Sequence, residues 1–303
     1  MIDSPLRAIA PSEIASLYRD GAVLLKNVLP QRWLNILEEG LEQANRQPGG
    51  MSSNVDGPLR IDQFPSSQSP ALARFVAESP IAELVGRVLD SPVRFYMDQM
   101  FYKPAGEIEP TPWHQDTCYY NIEGQDLVRA WVSPDPVPRE ISMEVVRGSH
   151  RWNVTYHSWV GRPLEEDPEG AERAIKAMAA GEPVIGVEAH KTWSYANAFR
   201  DKSMPAAPDI ATYKDSFDIL GWDFEPGDVL LFHGHILHGA EGGCHSTQPR
   251  RAHASMWAGN DIRYMHRLGQ VVPDPEGLYR YKPRSGDLLA SFPDIFPIVW
   301  QPR

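Results

Sequence analysis

From Val93 onward the chain is built of short β-prone runs broken by Pro and Gly, and this texture limits its fold more than any other feature. Sheets that close on themselves read this way in sequence, because each strand is brief and each reversal needs a turn residue. The runs fall at 93–103, 111–117, 128–133, 143–147, 183–187, 228–232, 235–240 and 251–258. Punctuation is plentiful, with 28 prolines and 23 glycines in 303 residues. The first ninety residues differ. Ile14, Leu17 and Tyr18 sit at helical spacing and Gly21 can close that helix in a left-handed conformation; a short strand at 22–25 follows. Trp33, Leu37 and Leu41 form a second stripe, and Ser79-Pro80 opens a further helix carrying Ile81, Leu84, Val85 and Val88.

We therefore expect one mainly β domain over 1–303. It divides into a helical preface at 1–92, barrel strands at 93–150 and 226–265, a lid or insertion at 151–225 and a C-terminal extension at 266–303. The lid region carries an Ala-rich stretch near 170–180, expected as helix, and the aromatics Trp152, Tyr156, Trp159, Trp193 and Tyr195. Loops of that length in a compact domain are usually functional.

Charge narrows the partners. A formal net charge of −11 supplies no cationic field for a phosphate backbone, so nucleic acid is not expected. No apolar run reaches the ~18 residues needed to cross a bilayer, and the N-terminal Met1-Ile2-Asp3-Ser4-Pro5 lacks a secretory pattern. With only Cys118 and Cys244 and no CxxC pair, a reducing, cytoplasmic setting is expected. The partner is then a small-molecule substrate, with no reading of oligomeric state.

Trp113-His114-Gln115-Asp116 carries the chemistry. On a strand, alternation would put His114 and Asp116 on one face about 6.6 Å apart. Alone, such a tripeptide is a weak signal. A second strand-turn-strand, from Gly227 to Ala240, brings three histidines, His233, His235 and His238. Two imidazoles and one carboxylate on one side of an ion make the facial triad of non-haem iron(II) oxygenases, which leaves three positions open. A structural zinc site would be closed by four ligands, usually including cysteine. Further on, Arg250 and Arg251 offer planar forks that match a carboxylate. They lie on opposite faces of a strand, so only one can enter a barrel.

Together Trp113 to Asp116, Arg129-Ala130-Trp131-Val132, Val145 to His150, Gly227 to Phe232, His238-Gly239 and Arg250-Arg251-Ala252 resemble the phytanoyl-CoA dioxygenase family over roughly residues 10 to 265. The resemblance implies a double-stranded β-helix (a jelly-roll, cupin-like barrel), with iron(II) on His114, Asp116 and His238. It selects His238 because a Gly follows it, and Arg250 as the anchor of the cosubstrate 2-oxoglutarate. Trp131 and Gln99 are then further cosubstrate contacts, and His150 steadies a turn. The implied reaction hydroxylates an unactivated C–H bond of a free metabolite with O2, releasing succinate and CO2. Desaturation or epoxidation at the same site, or a non-catalytic metal-bearing binding barrel, are the alternatives. An intact Asp116 speaks against a halogenase. Arg147 and Ile141 depart from the family pattern, beside the expected substrate mouth.

Overall fold

The structure is a computed structural model that describes residues 2–48, 52–54, 59–108, 110–157, 204–242, 244–265 and 280–302. In chain order the N-terminal part holds α1 (Pro11–Asp20), β1 (Ala22–Leu25), α2 (Gln31–Arg46), β2 (Ser52–Asn54), β3 (Arg60–Gln63), α3 (Pro70–Glu78), α4 (Ile81–Leu89) and β4 (Val93–Lys103). There follow β5 (Gly106–Ile108), β6 (Thr111–His114), β7 (Ile122–Glu123), β8 (Leu127–Val132), β9 (Glu144–Val146), β10 (Ile219–Gly221), β11 (Val229–His233), β12 (His238–Ala240), β13 (Cys244–Ser246), β14 (Arg250–Ala258), β15 (Arg263–Tyr264) and β16 (Ile298–Trp300).

Local chemistry explains the helix ends. Glu13 turns back to accept from the Ala10 amide at 2.7 Å, and Gly21 closes α1 at φ +85°, where its N–H donates to the Leu17 carbonyl. The Ser69 hydroxyl caps α3 by accepting from the Leu72 amide.

Every described strand pairing is antiparallel. The larger sheet runs β1-β11-β8-β14-β4-β3-β2, with β16 also on β4; the smaller runs β10-β9-β12-β6. This is the mainly β barrel with flanking helices expected above. Alternation sorts its residues. On β8, Val128, Ala130 and Val132 join Trp33, Leu37 and Leu41 of α2 and Leu84, Val85 and Val88 of α4 in one apolar core. Arg129 and Trp131, between them, face the interior cavity. Each large aliphatic side chain so buried contributes roughly 1.5–3 kcal/mol.

Several expected boundaries move. The preface also supplies β1, β2 and β3 to the large sheet, β10 brings residues of the 151–225 segment into the small sheet, and β16 brings part of the 266–303 extension to β4. Short polar strands such as Ser52–Asn54 leave no apolar alternation to read in the sequence. The run 111–117 is strand only to His114, and 235–240 only from His238. The Ala-rich stretch, the 183–187 run, Trp159, Trp193 and Tyr195 lie outside the described residues. Among the described residues no helix is long and apolar enough to cross a membrane.

Candidate metal and cosubstrate site

A cavity of about 520 Å³ opens between the two sheets. One wall is made where β12 pairs with β6, and the register sets His238 opposite His114. The ring centroids stand 4.2 Å apart. Each imidazole uses Nδ1 on the carbonyl two residues before it, His114 on Pro112 at 2.7 Å and His238 on Ile236 at 3.1 Å. A carbonyl only accepts, so Nδ1 carries the proton and both Nε2 lone pairs face inward.

Asp116 arrives differently from the strand geometry expected above. The strand stops at His114, and Asp116 sits in the right-handed helical region (φ −75°, ψ −37°) at the head of a single turn over Thr117–Tyr119. The Gly234 carbonyl accepts from the amides of both Asp116 and Thr117 at 3.2 Å, which bends the chain inward. Asp116 Oδ1 thereby lies 3.9 Å from Nε2 of each histidine. One atom from each of the three residues falls within 4.8 Å of the others.

The electrostatics suit a divalent cation. Burial, then the neighbouring His238, lowers His114 to about 3, and burial lowers His238 as well, so both imidazoles are neutral near pH 7. Burial works to raise the Asp116 carboxyl, but Arg129 and the two histidines outweigh it and hold the group below its ordinary value. The set is two neutral nitrogens and one carboxylate.

The other histidines are occupied elsewhere. His233 Nε2 donates to the Gln125 carbonyl at 2.7 Å, and His235 meets Thr117 and the Gly124 carbonyl. His150 contacts the Tyr18 carbonyl through Nε2 at 3.2 Å, in the 149–151 turn.

On β14 the two arginines part as alternation requires. Arg250 lines the cavity, touches the Ile141 carbonyl and stands directly opposite Lys103 on β4. Arg251 turns outward to Asp135 at 2.6 Å, Glu42 at 2.8 Å and Glu38 at 2.9 Å. Trp131 lines the cavity between these ends, edge-on to Phe224. Gln99 also lines it, with its side-chain oxygen accepting from Arg129 Nη2 at 2.6 Å. Arg147 is not among the lining residues; it pairs with Asp218 at 3.2 Å and lies 3.7 Å from Asp20, away from the expected substrate mouth. Sequence reasoning missed Lys103 and Arg129. Lys103 ends the mixed strand β4, and Arg129 stands in the Arg129-Ala130-Trp131-Val132 run without a role assigned to it, although the parity of each on its strand points it inward.

The antiparallel barrel and this donor set define an iron(II)- and 2-oxoglutarate-dependent oxygenase. The profile of the phytanoyl-CoA dioxygenase (PhyH) family matches residues 17–252, and the chain belongs to that family. Ectoine dioxygenase from Sphingopyxis alaskensis is 22% identical over 251 residues, 79% of this chain and 72% of the relative. The epimerase SnoN in complex with Fe3+, alpha ketoglutarate and nogalamycin RO aligns over 95% of this chain and 98% of its own, with TM-score 0.63 and 18% identity. EctD from S. alaskensis with 2-oxoglutarate and 5-hydroxyectoine aligns over 91% and 82%, with TM-score 0.59 and 18% identity. The two structures share the fold with this chain.

Proposed function

We propose that the enzyme hydroxylates an unactivated C–H bond of a free small-molecule metabolite, consuming 2-oxoglutarate and O2. The observation that carries this reading is the convergence of His114, Asp116 and His238 on the wall of a largely apolar cavity with Arg250 at its margin. Two neutral imidazoles and one ionised carboxylate fit ferrous iron and leave part of its sphere free. When bound, iron(II) with 2-oxoglutarate and O2 supplies the oxidising power and yields succinate and CO2.

The protein's share is placement. His114 and His238 hold their Nε2 lone pairs inward through their carbonyl contacts, and Asp116 presents Oδ1 beside them. Arg250 receives the far carboxylate of 2-oxoglutarate as a two-pronged donor, with Lys103 across the strand pair adding a second positive charge. Trp131 forms the flat wall between the two ends. Leu59, Ile61, Tyr119 and Met143 are among the other lining residues and exclude water from the substrate. Most of the remaining lining is apolar, which favours a substrate without strong charge. The acidic chain disfavours a coenzyme A thioester, and its use of only two cysteines with no CxxC pair fits a cytoplasmic enzyme. The single-domain division over 1–303 is part of the same proposal.

The test is succinate release measured over a panel of small neutral and weakly polar metabolites. A substrate should stimulate succinate at least several-fold, and Asp116→Ala should abolish that stimulation while the circular dichroism spectrum is retained. Full turnover by Asp116→Ala would remove this residue from the site.

A further inference from the structure

Arg129 is 2% exposed, in the middle of β8, with its guanidinium inside the barrel. A cation this deep needs a partner. Its Nε lies 3.3 Å from Asp116 Oδ2, its Nη2 donates to Gln99 Oε1 at 2.6 Å, and its Nη1 is 3.5 Å from both Tyr120 Oη and Met97 Sδ. The pair with Asp116 is incomplete. Arg129 Nε and Asp116 Oδ2 are both buried without a hydrogen-bond partner, so they approach at 3.3 Å without the alignment of a hydrogen bond. The two carboxylate oxygens therefore have separate surroundings: Oδ1 faces the two imidazoles, and Oδ2 faces the guanidinium.

We propose that Arg129 is the positioning residue for Asp116. It holds Oδ2 so that Oδ1 alone reaches the metal, and Gln99 acts through Arg129 instead of touching 2-oxoglutarate. The inference rests on the metal-site reading above. A carboxylate that grips with both oxygens takes two coordination positions, whereas one held back by its outer oxygen takes one. Partners of this kind typically change metal affinity 10–100-fold when removed.

The test is anaerobic titration of the full chain with cobalt(II), read by visible absorption, which reports the coordination environment independently of turnover. Arg129→Gln should bind 10–100-fold more weakly with a changed spectrum. Gln99→Ala should move in the same direction by less, and the double variant should be no weaker than Arg129→Gln. If Arg129→Gln does not fold, Arg129→Lys decides: it keeps the charge but cannot reach Asp116 and Gln99 together, so its affinity and spectrum should depart from wild type. Wild-type affinity and spectrum in the Arg129 variants would overturn the proposal, as would a Gln99→Ala effect confined to the 2-oxoglutarate requirement. A wild-type protein that binds no cobalt would instead overturn the metal-site reading.

Discussion

His114 and His238 are direct cross-strand partners in the pairing of β6 with β12, so a single antiparallel contact sets the spacing of the two proposed nitrogen ligands. Gly239, beside His238, lets that contact form. A Cβ there would come to 2.9 Å from the Thr111 carbonyl oxygen and 3.0 Å from the Trp113 ring. Gly239→Ala is therefore expected to push β12 from β6, lowering stability by about 1–3 kcal/mol and weakening metal binding. Thermal unfolding and metal titration check this, and normal metal affinity in the variant would show that the strand spacing is not limiting.

Arg250 and Arg251 are adjacent but should fail in different assays. Arg250→Ala is expected to raise the 2-oxoglutarate requirement by the ~1.5–3 kcal/mol of a charged hydrogen-bonded contact, roughly tenfold to a hundredfold in KM. Arg251→Ala should leave that requirement near wild type and cost about 1–3 kcal/mol of stability, because its contacts are Asp135, Glu42 and Glu38. The reverse pattern would exchange their roles.

Acid should destabilise the fold through His233. Burial first, then His235 and His150, holds His233 down to about 3, and burial lowers His150 too. In the unfolded chain both protonate near pH 6.5. Between 6.5 and about 3 the unfolded state thus binds more protons, so stability is fully present above pH 6.5 and falls as the pH drops through that window. The slope approaches ~1.4 kcal/mol per pH unit from His233, and His150 adds in the same direction. Denaturant unfolding from pH 7 to 4.5 should show this decline, and His233→Gln should make it shallower. A flat profile would contradict the assignment.

The legible parts of the fold were those with strong periodicity. The Trp33-Leu37-Leu41 stripe became α2, and Val93–Lys103 became β4 with its expected bounds. Helix α3 was not legible: only nine residues long, it buries Leu72, Phe75 and Val76, too few to form a stripe. At the site, the ordered motifs pointed to the residues that meet, while spacing alone misled. Asp116 reaches the histidines from a turn held by the Gly234 carbonyl, a contact across two distant segments that strand alternation cannot foresee. Arg129 and Lys103 stayed hidden for the same reason, since their meaning lies in what stands opposite them.

The central claim is that one ferrous ion is held by His114, Asp116 and His238 with a keto acid running from it to Arg250. Anomalous diffraction at the iron edge, from crystals prepared anaerobically with iron(II) and 2-oxoglutarate, tests it directly. The expected map places the iron peak at coordinating distance from both Nε2 atoms and Asp116 Oδ1, with the far carboxylate of the keto acid on the Arg250 guanidinium. Iron bound elsewhere, or a keto acid whose far end lies away from Arg250, would contradict the account.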